Sequence, residues 1–375
     1  MITNRIALIA AGGTGGHLFP AEALALALAR RGWRINLATD HRVESYGHDF
    51  PAERVYRISS ATLTRQPVAF AKGVLKLGMG MLEARAMLRV MKPAVAIGFG
   101  GYPTIPPMYA AVRARVPTLI HEQNAVLGRA NRFLASRVGR IATSFASVRG
   151  ADAFRAKMVQ TGNPVRPAVI EAAAIPYPAP KAGEPFRLIV FGGSQGARVM
   201  SDLVPPAIEL LPTEVRNRLS IVQQCRPEDI DRVRAAYAGR GVTADLQPFF
   251  RDMPQRIAAG HLVVCRSGAS TCTELAVIGR PSIMVPLPGA LDQDQKANAE
   301  VLAAAGGAWM VEQSQMNPAR LAADLANLIG DPARLIAAAT AAKGAGRPDA
   351  VERLADLVEE SATRAPARIG GGAST

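Results

Sequence analysis

Apolar residues in this chain come in short runs that stop at glycines. Arg5-Ile6-Ala7-Leu8-Ile9-Ala10-Ala11 ends in Gly12-Gly13-Thr14-Gly15-Gly16-His17. A run too short for a typical helix reads as a buried strand, and glycines let the backbone turn sharply and approach a ligand. Pro20 suits the first turn of a helix, which the Ala/Leu-rich segment carries on to Ala29. The pattern predicts strand, glycine loop, helix, with backbone N–H groups at a positive helix end that suit a phosphate. The histidine that follows can exchange a proton near neutral pH.

The theme recurs. Residues 33–40 form a second strand, residues 95–99 lead into Gly100-Gly101-Tyr102, and residues 117–120 run into the four polar residues His121-Glu122-Gln123-Asn124. In an open parallel sheet, ligands gather at the carboxyl ends of strands, so these ends point to one crevice. Residues 161–186 are rich in proline, glycine and alanine, and 177–185 have linker composition. The architecture then restarts with Arg187-Leu188-Ile189-Val190-Phe191-Gly192-Gly193-Ser194-Gln195-Gly196, and a helical run continues to Leu211. Strands at 220–224, 244–250 and 261–265 follow. The expected organisation is α/β in two domains of similar build, 1–162 and 163–345, with a helix at about 350–362 that packs on either one and a disordered tail at 364–375.

The last of those strands enters Arg266-Ser267-Gly268-Ala269-Ser270-Thr271-Cys272-Thr273-Glu274. Small residues leave a helix N-terminus uncovered, and its N–H groups with the Ser270 and Thr271 hydroxyls suit a diphosphate. Glu274 lies about one turn further in, where a carboxylate accepts hydrogen bonds from two ribose hydroxyls. The competing reading is an N-cap with a favourable first-turn glutamate. Asp292-Gln293-Asp294-Gln295 supplies sugar-type hydrogen bonders after the next strand.

One segment breaks the pattern. Between Ser59 and Pro93, Val68, Phe70, Val74, Leu75, Leu77, Met79, Met81 and Leu82 lie among Arg65, Lys72, Lys76, Arg85 and Arg89, and Gly78 and Gly80 leave open whether one straight helix runs through. An apolar face edged with basic side chains suits an anionic membrane interface. It is equally the pattern of an ordinary buried helix with solvated lysines.

Length and charge narrow the class. The 375 residues point to two domains, and the net charge of +14 favours an anionic partner. Aromatics are only 5% and show no basic–aromatic interleaving, which argues against nucleic acid. Cys225, Cys265 and Cys272 have no metal-ligand spacing and read as reduced. Met1-Ile2-Thr3-Asn4 runs straight into the first strand, leaving no room for a signal peptide, and no apolar stretch is long enough to span a bilayer. Gly-x-Gly-x-x-Gly fails at Leu18, and the P-loop lysine is missing. A nicotinamide dehydrogenase using Asp40 as ribose acid is therefore a poor match, and a charged surface scaffold leaves the glycine loops and Glu274 unexplained.

These pieces in this order resemble the MurG family, bacterial glycosyltransferases that attach N-acetylglucosamine to a lipid-linked muramyl-pentapeptide. The matching motifs lie at 12–17, 98–102, 121–124, Thr161-Gly162-Asn163-Pro164-Val165-Arg166, 192–198, 265–274 and 292–295. They cover nearly the whole chain except the tail. The resemblance implies the glycosyltransferase B architecture: two Rossmann-like doubly wound α/β domains facing a cleft. It implies an inverting enzyme with no metal or cofactor, peripheral to the cytoplasmic side of the cell inner membrane.

By the same resemblance the donor is UDP-N-acetylglucosamine. Glu274 would hold its ribose, Ser194 with Ala269, Ser270 and Thr271 its diphosphate, the segment around Phe250 its uracil, and Gln295 its sugar. Arg166 and Asn124 would close over the donor, with Thr14, Gly15 and Gly16 also facing it. Gly13, Gly100, Gly101 and Tyr102 would take the pyrophosphate of the polyprenyl-pyrophosphoryl-muramyl-pentapeptide acceptor, alongside Glu122 and Asn131. His17 would be the base at the acceptor hydroxyl. Val74, Leu75, Lys72, Lys76, Arg85 and Arg89 would meet anionic membrane lipids. The family often has two glutamines where this chain has Asp294-Gln295, asparagine at Ser201, and leucine at Ser270.

Such a reaction needs a base at the attacking hydroxyl, positive potential at the leaving diphosphate, and a site that excludes water.

Overall fold

The computed structural model describes residues 5–12, 15–40, 50–61, 66–193 and 196–363. It divides into two compact units, Met1–Pro164 with Asp349–Thr375, and Val165–Pro348.

In the first unit the elements run β1 (Ile6–Ala10), α1 (Gly15–Arg30), β2 (Arg34–Thr39), β3 (Arg54–Arg57), α2 (Pro67–Met91), β4 (Val95–Gly98), α3 (Ile105–Arg113), β5 (Thr118–Glu122), α4 (Arg129–Ala135), β6 (Arg140–Thr143) and β7 (Met158–Gln160). The sheet is parallel throughout, in the order β3-β2-β1-β4-β5-β6-β7. Strands buried on both faces read as continuous apolar runs, and β1 shows why. Ala7 and Ile9 pack with Leu24 and Leu28 of α1, whereas Leu8 and Ala10 face Met87 of α2 and Met108 of α3.

One local expectation changes and one open point closes. Helix α1 begins at Gly15, so Pro20 lies inside it rather than in its first turn. The proline forgoes one helical hydrogen bond, and the burial of Leu18, Ala21, Leu24, Ala25 and Leu28 outweighs that loss. Segment 67–91 is one continuous helix despite Gly78 and Gly80. Gly80 has a packing reason: a methyl there would lie 1.9 Å from the Ser59 carbonyl oxygen. The same loop is tied to α2 by the Ser59 N–H and hydroxyl, which donate to Glu83 at 2.8 and 2.9 Å.

The second unit runs α5 (Pro167–Ala173), β8 (Phe186–Phe191), α6 (Arg198–Glu209), α7 (Thr213–Arg216), β9 (Leu219–Gln224), α8 (Ile230–Ala238), β10 (Thr243–Gln247), α9 (Met253–Ala259), β11 (Leu262–Cys265), α10 (Ala269–Ile278), β12 (Ser282–Met284), α11 (Asp294–Ala304), β13 (Ala308–Met310), α12 (Pro318–Ile329) and α13 (Pro332–Ala345). Its parallel sheet has the order β10-β9-β8-β11-β12-β13. Much of the linker-like composition is ordered. Pro167 opens α5, and the buried Arg280 guanidinium donates to the carbonyls of Ile175, Pro176 and Ala258.

The last described helix, α14 (Ala350–Thr363), belongs to the first unit. Leu354, Ala355, Leu357 and Val358 enter its core. Arg31 pairs with Glu352, with Asp356 at 2.6 Å and with Glu359 at 2.9 Å.

Candidate active site

In both units the expected residues gather at the carboxyl ends of the central strands. In the first unit the chain leaves β1 through Gly12, whose N–H donates to the Gly100 carbonyl at 3.1 Å. Gly100 and Gly101 have φ of +88° and +79°, which glycine adopts without strain. His17 is half-buried among these three glycines. A methyl on Gly100 would lie 3.3 Å from its Nε2, and one on Gly12 3.4 Å from its Nδ1. A methyl at Gly100 would press on the ring and one at Gly12 or Gly101 would touch it, so the three glycines close around one imidazole. Gly15 is buried and Gly16 exposed at the start of α1, and Tyr102 stands half-buried beside Gly101. Gly13 and Thr14 lie outside the described residues, as do Ser194 and the tail 364–375.

The polar end of β5 is turned inward. His121 is fully buried against Phe99, its Nε2 2.9 Å from the Gly162 carbonyl oxygen, and burial pulls its pKa down to about 4. Glu122 is 1% exposed. Its carboxylate accepts from the Asn124 N–H at 3.0 Å, the Gly128 N–H at 2.9 Å, and the side-chain amides of Asn124 at 3.3 Å and Asn131 at 2.9 Å. Burial pushes its pKa up while these donors oppose the rise. Glu122 and the buried Asn131 thus shape the turn that presents the half-buried Asn124. The Glu122 carboxylate and the Asn131 amide nitrogen are engaged inside the protein, whereas Asn131 Oδ1 is buried without a hydrogen-bond partner.

In the second unit Gly268 caps α10 in extended conformation without a side-chain hydrogen bond, and a methyl there would meet nothing within 4 Å. The first N–H groups of the helix are therefore uncovered by their own cap. Ala269, Ser270 and Thr271 form its first turn, and the Ser270 hydroxyl is buried without a hydrogen-bond partner. Behind this turn Arg266 is buried, donating to the Val285 and Pro286 carbonyls at 2.9 Å and to the Gln313 side-chain oxygen at 2.6 Å. These neutral oxygens leave its positive charge acting on its surroundings, and burial lowers its pKa. Arg266 and Gln313 were not legible as site residues, because a lone arginine after a strand carries no signal of its burial.

Glu274, one turn further along α10, has a side chain 14% exposed. Arg166 donates to its Oε1 at 3.3 Å, the sole hydrogen bond its carboxylate receives among the described residues. Burial raises the Glu274 pKa and Arg166 opposes the rise. Gln295 is turned toward its own loop: its Oε1 accepts from the Leu287 N–H at 3.0 Å, and its carbonyl accepts from the Ser267 hydroxyl at 2.8 Å. Asp294 opens α11, and its Oδ1 accepts from the Gln295 N–H at 2.7 Å. Phe250 is buried under the Arg256 guanidinium, 4.4 Å from the ring centroid, whereas the neighbouring Phe249 is the exposed ring. Two adjacent phenylalanines at a strand end cannot be told apart by pattern alone.

Two parallel, doubly wound units with glycine-marked strand ends are the architecture of B-type glycosyltransferases. Models of the glycosyltransferase family 28 N-terminal and C-terminal domains match residues 7–143 and 187–354. The chain is similar to the UDP-N-acetylglucosamine--N-acetylmuramyl-(pentapeptide) pyrophosphoryl-undecaprenol N-acetylglucosamine transferase of Methylobacterium nodulans, 58% identical with 98% of this chain and 100% of that one covered. The protein of the same name from Rhodopseudomonas palustris is 57% identical over 94% of each chain. Among solved structures, Acinetobacter baumannii MurG matches with a TM-score of 0.77 at 29% identity, covering 95% of this chain and 99% of that one. The chain belongs to glycosyltransferase family 28, in its MurG branch.

Proposed function

We infer that this protein transfers N-acetylglucosamine from UDP-N-acetylglucosamine to the lipid-linked muramyl-pentapeptide, the step from lipid I to lipid II of peptidoglycan synthesis. The observation that carries the donor assignment is Glu274, a nearly buried carboxylate with one hydrogen bond at 3.3 Å, one turn inside a helix whose N-terminus is uncapped. Buried carboxylates are normally saturated with donors, and a ribose diol supplies the two that are missing.

The reaction is a single displacement at the anomeric carbon. The acceptor hydroxyl forms the new C–O bond as the bond to UDP breaks, which inverts the centre. His17, fitted among Gly12, Gly100 and Gly101, takes the hydroxyl proton. The negative charge developing on UDP meets the α10 N–H groups, the helix dipole, Arg166 and the field of Arg266. The exposed ring of Phe249 offers a face to uracil.

The membrane reading rests on α2. Leu75, Met79, Leu82, Ala86 and Val90, spaced four, three, four and four residues apart, form one stripe, and all are exposed. Lys72, Lys76, Arg85 and Arg89 are exposed beside it, a pattern that lies in an anionic interface. No described helix is long and apolar enough to cross a membrane. The α2 stripe and its basic edge support reading the protein as a peripheral enzyme on the cytoplasmic face of the inner membrane. Transfer of labelled N-acetylglucosamine from UDP to a lipid-linked muramyl-peptide is the test. Label found only in free sugar, or no label moved, would contradict the assignment.

A further inference from the structure

Arg166 and Glu274 meet in the second unit from two different elements. Arg166 precedes Pro167, the first residue of α5, and its side chain is 33% exposed. Its Nη2 lies on Oε1, one of the two carboxylate oxygens open to a two-donor ribose diol. We propose that Arg166 is a specificity gate, occupying Glu274 in the empty site and yielding that carboxylate to the ribose only when the nucleotide brings a 5′-diphosphate for the guanidinium. This rests on the donor reading of α10.

The geometry makes the exchange local. Glu274 is five residues along α10 from Ala269, about 7.5 Å of helix axis at 1.5 Å per residue. Arg166 is the N-cap of α5, which packs against α10, so a long side chain rooted there is placed to exchange between the two places. At Glu274 the guanidinium makes one hydrogen bond at 3.3 Å, longer than a good charge-assisted contact. A diphosphate offers a planar guanidinium two parallel bonds and a larger charge. The trade is therefore favourable for UDP. Uridine offers the guanidinium nothing, so it must break the ion pair uncompensated. Arg166 thus strengthens diphosphate nucleotides and weakens bare nucleosides at the same ribose site. Burial raises the Glu274 pKa, and Arg166 opposes that rise.

The test is the sign of the effect on two ligands. Uridine, UMP and UDP are titrated at pH 8 against the full chain and against Arg166→Ala and Arg166→Lys, with melting temperatures to confirm folding. Arg166→Ala should weaken UDP by about 10- to 100-fold, the scale of one lost charge-assisted interaction, and tighten uridine by about 3- to 10-fold. Arg166→Lys, which keeps charge but not the planar fork, should fall between. Equal weakening of uridine and UDP would make Arg166 a positioning residue for Glu274 and overturn the gate. Weaker UDP with unchanged uridine would leave a simple phosphate contact and also overturn it. If Glu274→Ala leaves UDP affinity unchanged, the donor reading fails first. If that variant loses UDP while Arg166→Ala does not tighten uridine, only the gate fails.

Discussion

Glu122 and Glu274 are both carboxylates set deep beside the central strands of their sheets, and burial pushes the pKa of both upward. They differ in what surrounds the charge. Glu122 accepts four hydrogen bonds from Asn124, Gly128 and Asn131, whereas Glu274 accepts one from Arg166. An unpaired buried charge is costly, so the first is a finished structural joint and the second is a place where a ligand completes the bonding. Two histidines differ in burial instead. His121 is sealed against Phe99, while His17 is half-buried in a glycine cradle. Between the two glutamates, the number of donors around the carboxylate, more than residue type or burial, is what differs.

The largest effect should come from the unsealed histidine. His17→Ala is expected to lower turnover by roughly 10²–10⁴-fold at saturating acceptor, the scale of a general base, with UDP affinity little changed. Near-normal turnover would place His17 with His121 among the structural residues.

The sealed pair should report through stability. Glu122→Ala strands several donors and should cost about 2–4 kcal/mol of folding stability, read by urea unfolding. An unchanged midpoint would mean the Glu122 network is incidental. His121 carries a pKa of about 4 when folded, against about 6.5 in the unfolded chain. Below pH 6.5 the unfolded chain takes up a proton that the folded one refuses, so stability falls as pH drops from about 6.5 toward 4. The loss approaches about 3 kcal/mol for this group, and the buried His261, also held at about 4, adds in the same direction. His121→Gln should flatten that slope in melting temperature. An equally steep slope would assign it to other groups.

Much of this was legible in the chain. Short apolar runs closing on glycines mark β1, β4, β8 and β11, because a strand buried on both faces needs no polar alternation. The edge strand β3 was not legible, being four residues of which Arg54, Val55 and Arg57 are exposed. Gly80 left the continuity of α2 open because its reason, the approach of the Ser59 carbonyl, comes from a distant loop. Glu122 reads in sequence as one of four polar residues at a strand end and Glu274 as an acid one turn inside a helix, and neither pattern tells how many donors each carboxylate meets. That count is read only in three dimensions.

A smaller, salt-dependent effect belongs to α2. Replacing Lys72, Lys76, Arg85 and Arg89 by glutamine should weaken binding to anionic vesicles by about 1 kcal/mol per charge that reaches the surface. What binding remains should respond less to salt. Activity on a water-soluble acceptor analogue should be retained. Undiminished vesicle binding would make the basic side chains a solvated face.

The contrast between the two glutamates is tested most directly by measuring UDP affinity and melting temperature together for Glu274→Ala. Loss of the ribose carboxylate should weaken UDP by about 1–3 kcal/mol while the melting temperature stays close to that of the parent, since the folded state gains little from a carboxylate with one long hydrogen bond. Unchanged UDP affinity with a large fall in melting temperature would make Glu274 a second Glu122, and would contradict the account.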